Sequence, residues 1–316
     1  MKKLLFICVL LLAQSALYAQ TQYTVTTAQF DLPNQWAFGE VVGIVENTQG
    51  HKFVLNRGQH PLLEFDSQGN FVKELGQGEF SKPHGLRIDR HGNLWTTDTE
   101  THLVLRFAPS GEITMVLGMK NKASKGWFDR DYSLILFNSP HDVAFDKYDN
   151  IFVVDKGNDR IVKLNADGML LKTWGQKGDE EGEFNFAHAI VIDQQDRILV
   201  ADRENKRVQL FDLEGKFTSQ WADVGYPYVM VLTGNSIWIT DARNETIQQR
   251  DLDGKRIKTI QGKKGRGPGQ FGFAHGLHVT QKEHIFVTQV LNWSVLKLIP
   301  TSEKSSAKTL MTINSY

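Results

Sequence analysis

Cysteine is nearly missing from this chain. Its one thiol, Cys8, lies inside an N-terminal apolar run, so a chain that loses that run can form no disulfide and carry no cysteine nucleophile. Charge of one sign is missing as well: 36 basic residues stand against 36 acidic ones, and without Lys2 and Lys3 the basic count falls to 34. That balance excludes the electrostatic footprint of a nucleic-acid binder. Long hydrophobic runs are absent after the first, and no stretch carries the 3.6-residue periodicity of an amphipathic helix. The first run has Lys2 and Lys3 ahead of Leu4 to Leu12, then Leu17-Tyr18-Ala19 as a cleavage site. It reads as a secretory signal over residues 1–19, too short and wrongly flanked for a lasting membrane span. The mature chain, 20–316, is therefore expected to be soluble and exported, either secreted or periplasmic.

Repeats are what the chain does have. The phrase Gly92-Asn93-Leu94-Trp95-Thr96-Thr97-Asp98 returns as Asn150-Ile151-Phe152-Val153-Val154-Asp155 and as Arg197-Ile198-Leu199-Val200-Ala201-Asp202. Weaker copies end at Asp241 and Gln289, and a degenerate one at Asn56. Each copy is a short β-branched and aromatic run bounded by Gly, Asp, Asn or Pro, the composition of strands and hairpins. Six copies, mostly 40 to 47 residues apart, predict an all-β fold, a six-bladed β-propeller with a site at its central pore. No linker interrupts the register, so one domain is expected. Either Tyr23 to Phe30 or Lys308 to Asn314 supplies the strand that closes the ring. An insertion precedes blade three, where Trp127, Phe128, Asp129, Arg130 and Tyr132 form a lid over the pore or a plain surface loop.

Four of the ten histidines occupy one repeat position: His84, His141, His188 and His275. Each lies fourteen residues before the Asp or Gln that ends the next strand, which returns both to one rim of the propeller. The corresponding positions in the other two blades are Val42 and Tyr228. If the first strand of each blade lines the channel, these positions converge on the axis. His84, His188 and His275 fall in alternate blades, in near three-fold symmetry. Three neutral imidazoles with a fourth position open form a zinc site of the catalytic type. His141 lies off that set, as a group contacting the substrate or supporting the metal ligands. The strand-ending aspartates are expected to cap backbone amides of the next turn. Just beyond that position, Arg57 and Arg203 either clamp a carboxylate bidentately or contact only water.

Taken together, Asn56-Arg57-Gly58, Pro83-His84-Gly85-Leu86, Val200-Ala201-Asp202-Arg203-Glu204-Asn205 and Ala274-His275-Gly276 resemble the peptidyl-α-hydroxyglycine α-amidating lyases, built on NHL repeats. The resemblance runs over roughly residues 36 to 299. It implies a catalytic zinc on His84, His188 and His275, and a substrate carboxylate on Arg57 and Arg203. The implied reaction splits a carbinolamide C–N bond to give an amide and glyoxylate. Two features depart from the family. Its catalytic tyrosine follows the blade-three aspartate, whereas here Asp155 is followed by Lys156-Gly157-Asn158. The last-blade carboxylate tied to a structural calcium is replaced by Gly276, which puts the calcium in doubt. His141 and Tyr228 are then the candidate catalytic groups, an imidazole being able to take a proton near neutral pH. The expected substrate is a small or peptidyl carboxylate, with no nucleic acid and with a protein partner left open. The competing reading is a propeller without catalysis that binds a protein, peptide or glycan on its rim.

Overall fold

A computed structural model describes residues 22–124 and 137–301. The signal segment, the insertion from Trp127 to Tyr132 and the stretch Lys308 to Asn314 lie outside the described residues. Within them the chain forms six four-stranded antiparallel sheets, arranged as the blades of a six-bladed propeller. The first strands of successive blades are Val41–Glu46, Pro83–Ile88, Pro140–Phe145, Ala187–Ile192, Met230–Thr233 and Ala274–Val279.

The alternation of side chains along a strand explains how the blades hold together. In blade four, Ile198 and Val200 pack toward Phe152 and Val154 of blade three. Their neighbours Leu199 and Ala201 pack toward Ile237 and Ile239 of blade five. Each blade is thus apolar on both faces, and its middle strands read as near-continuous hydrophobic runs, Ile198–Asp202 being buried throughout. Buried apolar clusters occupy all six blade junctions, so the core is a ring of interfaces rather than one central mass. That leaves the axis free for polar groups.

Closure of the ring falls to the N-terminal side. Tyr23–Thr27 pairs antiparallel with Ser294–Pro300, from Tyr23 opposite Pro300 to Thr27 opposite Leu296. The first strand among the described residues therefore completes the last blade and shields an edge that would otherwise stay unpaired. No helix among the described residues is long and apolar enough to cross a membrane.

Candidate functional site

A β-bulge sits at the histidine position in most blades. Opposite the strand that follows, Ala187 pairs with Asp202 and Ala189 with Ala201, leaving His188 as an extra residue. The same shift occurs between Pro140 and Asp142 around His141, and between Val41 and Gly43 around Val42. Blades two and six show it between Pro83 and Leu86 and between Ala274 and Leu277. A bulge bends the strand and re-aims a side chain. It also takes the local carbonyl out of the ladder, and the chain uses that carbonyl at once.

His84 Nδ1 donates to the His141 carbonyl at 2.9 Å, His188 Nδ1 to the Tyr228 carbonyl at 2.7 Å, and His275 Nδ1 to the Val42 carbonyl at 3.0 Å. Each even-numbered blade thus supplies an imidazole, and the following blade supplies the carbonyl that orients it, from a bulge at His141 and Val42 and from just ahead of the first strand at Tyr228. A carbonyl only accepts, so Nδ1 carries the proton in all three rings and Nε2 keeps its lone pair. Ring centroids of the three lie 4.8, 5.0 and 5.2 Å apart, close to an equilateral triangle. One nitrogen from each falls within 4.8 Å of the others, and this is the one such cluster of three found among the described residues.

Burial governs the charge state of these rings. It drives His84 and His188 well below the ordinary histidine range, helped by repulsion from the neighbouring imidazoles. Burial also takes His275 down to about 4, against its hydrogen bond to Val42. Neutral imidazoles with a fixed tautomer and convergent lone pairs are the donor set that zinc requires, and carbonyl-bound Nδ1–H groups are the usual support for it. The three residues therefore fit a zinc ion.

His141 stands in an odd-numbered blade and is held differently. Its Nδ1 donates to the Ser139 carbonyl at 2.8 Å, two residues back in its own chain. Its ring lies 4.1 Å from that of His84 and 5.3 Å from that of His188. Burial pushes its pKa down to about 3, so at neutral pH it too is an uncharged acceptor at Nε2. Tyr228 is buried, with its ring 4.9 Å from His188 and 5.9 Å from His275.

Above the rings opens a cup of about 320 Å³ that Arg57, Arg203, Lys156, Phe186 and Tyr228 help to line. Arg57 donates through Nε to the Pro83 carbonyl at 3.1 Å and through Nη1 to Glu40 at 2.8 Å. Arg203 pairs with Glu204 at 2.7 Å and lays its guanidinium 3.7 Å from the centre of Phe186 and 4.8 Å from that of Tyr228. Arg57 Nη2 and Arg203 Nη1 have no hydrogen-bond partner among the described residues. The strand-ending aspartates bind backbone instead of ligand: Asp98 accepts from the amides of Ser81, Lys82, Glu100 and Thr101.

On the other side of the rings lies a small polar chamber, about 20 Å³, room for a single water. Arg87 and Asp142 meet on its wall, Nε donating to Oδ1 at 2.8 Å and Nη2 to Oδ2, while Arg87 Nη1 reaches the Met230 carbonyl at 3.0 Å. The Asp142 carboxylate also accepts from the Ile190 amide at 3.0 Å. At Gly276 a Cβ would lie 2.5 Å from the Val42 carbonyl oxygen and 2.7 Å from Thr288 Oγ1. No carboxylate fits there, and the one at Asp142 already faces a guanidinium. These residues do not fit a structural calcium.

The model of the NHL repeat matches residues 80–107 and 184–211, within blades two and four. Peptidyl-alpha-hydroxyglycine alpha-amidating lyase 2 of Drosophila melanogaster is 30% identical over 166 residues, 44% of this chain and 39% of that protein. Peptidyl-glycine alpha-amidating monooxygenase B of Xenopus laevis is 32% identical over 167 residues, 44% of this chain and 18% of that protein. The chain carries NHL repeats and resembles the amidating lyases. The matched stretch spans well under half the length of these curated relatives. Among solved structures, a virginiamycin B lyase from Staphylococcus aureus superposes with a TM-score of 0.63 at 12% identity, over 88% of this chain and 99% of that one. At that identity the likeness is one of fold.

Sequence reasoning did not single out Phe186, the threonines beside the bulges or the Arg87–Asp142 pair. One signal was available: the tripeptide Phe-Ala-His occurs twice, at Phe186-Ala187-His188 and Phe273-Ala274-His275, and both phenylalanines line the cup.

Proposed function

We propose that this chain is an exported zinc-dependent lyase, acting on a small or peptidyl substrate that bears a hydroxyl and a carboxylate on the carbon bonded to an amide nitrogen. What carries the reading is the alternation of blades: imidazoles from blades two, four and six, each with its Nδ1–H fixed by a backbone carbonyl of the next blade. That arrangement supports a metal site with one side open to a cup, which a purely structural imidazole cluster does not need. His84, His188 and His275 would hold the ion, and its contribution would be Lewis acidity toward the substrate hydroxyl.

The chain's own groups account for the rest. Arg57 and Arg203 each keep a guanidinium N–H for the substrate carboxylate while Glu40 and Glu204 hold their other edges. Breaking the C–N bond moves the hydroxyl proton off oxygen and puts a proton on the departing amide nitrogen, leaving an amide and glyoxylate. His141 borders both the cup and the chamber and is the group placed to pass the hydroxyl proton at Nε2 on to nitrogen; burial makes it a weaker base than the sequence suggested, so it would relay the proton rather than retain it. Tyr228 is the second group near enough to serve, and its ring packs on both His188 and His275.

The test pairs metal analysis of the purified mature protein with glyoxylate release from an α-hydroxyglycine peptide. One zinc per chain and chelator-sensitive release are expected. A protein that takes up no stoichiometric zinc at neutral pH would not be this enzyme.

A further inference from the structure

Two cations converge on one aromatic ring at the mouth of the cup. Lys156 Nζ lies 4.0 Å from the centre of Phe186 and Arg203 Cζ 3.7 Å from the same centre. Arg203 is balanced by Glu204, whereas Lys156 has no carboxylate at ion-pairing distance among the described residues. Arg57 is balanced in turn by Glu40. Lys82, on the same lining, reaches Glu100 only at 3.7 Å and is largely exposed. No aspartate or glutamate among the described residues lines the cup.

The position of Lys156 is fixed by its neighbours. It opens a 3-10 turn, Lys156–Asn158, directly after Asp155. Asp155 accepts from the Asn138 amide at 2.6 Å, and the Gly157 amide donates back to the Asn138 carbonyl at 2.7 Å. A Cβ at 157 would lie 2.5 Å from that carbonyl oxygen, so the turn is held tightly against the preceding segment. The fold therefore keeps a half-buried ammonium near a like charge with no ion-pair partner among the described residues, Asp159 acting on it only from beyond ion-pairing distance, an arrangement that a bound anion relieves.

Resting on the lyase reading, we propose that Lys156 forms a second anion-binding position, and that the preferred substrate is a dianion. Its first carboxylate sits on the reacting carbon and its second on the acyl side of the scissile bond. A peptide with an acidic residue ahead of the reacting one has this chemistry, as does a small dicarboxylic acyl derivative. Lys156 stands where the resembling lyases carry a tyrosine, so the exchange would turn a proton-transfer position into a selectivity position.

The matched pair N-butyrylglycine and N-succinylglycine tests this, because the two differ by a terminal methyl against a carboxylate and neither can react. Titration calorimetry on the full protein, with and without added zinc, should show the succinyl ligand binding about 10-fold tighter. K156Q should cut that preference to about 2-fold or less, and K156R should keep most of it. Equal affinities in the unmodified protein, no measurable binding of either ligand, or a preference that survives in K156Q would each overturn the proposal. Glyoxylate release plays no part in the measurement. A failed lyase assay with an intact succinyl preference would therefore sink the reaction and leave the anion site standing.

Discussion

Thr97 Oγ1 donates to the His141 carbonyl at 2.9 Å while accepting from the Gly85 amide at 2.8 Å, so one hydroxyl joins the bulges of two neighbouring blades. The His141 carbonyl is the same oxygen that receives His84 Nδ1–H. Thr240 repeats the device, accepting from Val229 and donating to the His275 carbonyl at 2.7 Å. The carbonyl that orients His84 is therefore itself held in place by a threonine hydroxyl.

Changing Thr97→Val keeps the side-chain volume and removes the hydroxyl. The buried Gly85 amide then loses its acceptor, which should cost about 1–3 kcal/mol of stability. The His141 carbonyl loses one of its two donors, and zinc affinity should fall by roughly 10-fold or more. Denaturant titration and metal competition measure the two effects, and T97S should restore both. Unchanged zinc affinity in T97V would mean that His84 is oriented without this bridge.

His188→Ala and His141→Ala should separate in a way that assigns their roles. H188A removes a metal ligand, so bound zinc should fall below stoichiometric amounts and glyoxylate release with it. H141A should keep its zinc and lose activity by a factor of about 10²–10⁴, the usual loss for a missing proton-transfer group. Metal content by elemental analysis distinguishes them. Loss of zinc in H141A would make His141 part of the metal set after all.

The blades and the histidines were legible because both recur. A run such as Ile198–Asp202, hydrophobic up to its closing aspartate and returning mostly every 40 to 47 residues, has few folds open to it. The fourteen-residue interval from His188 to Asp202 placed both on one rim. It did not disclose the bulge, since an extra residue in one strand leaves the interval looking like an ordinary hairpin. Arg87 and Asp142 are 55 residues apart in different blades, and no local pattern links them. The closing strand was undecided because Tyr23–Thr27 has the β-branched composition that either terminus could offer. Lys156 stood out in the sequence for the tyrosine it replaces, while its place against Phe186 beside Arg203 appears only in three dimensions.

Phe186 supports Arg203 and Lys156 together, so F186A should weaken ligand binding more than chemistry. Losing two cation–π contacts should raise KM about 10-fold, with kcat changed by less than about 3-fold. F186L keeps apolar bulk without the aromatic face and should resemble F186A. Steady-state kinetics on an α-hydroxyglycine peptide would decide, and a loss confined to kcat would place Phe186 nearer the reacting atoms than the rim.

The metal-free protein should show a pH dependence whose sign follows from burial. His275 titrates at about 4 and His141 at about 3 in the folded chain, against an unfolded value near 6.5. As pH falls through 6.5 the unfolded chain takes up protons first, so the folded metal-free protein loses stability progressively down to those folded values. Each such histidine contributes a slope of up to about 1.4 kcal/mol per pH unit. Asp155 and Asp202 act in the opposite direction, because burial raises their pKa and a falling pH then favours the folded state. Comparing the metal-free protein with metal-free H275Q cancels those carboxylates. Between pH 6.5 and 5 the urea midpoint should fall more steeply in the unmodified protein than in H275Q, and equal slopes would show that His275 is not held neutral by the fold.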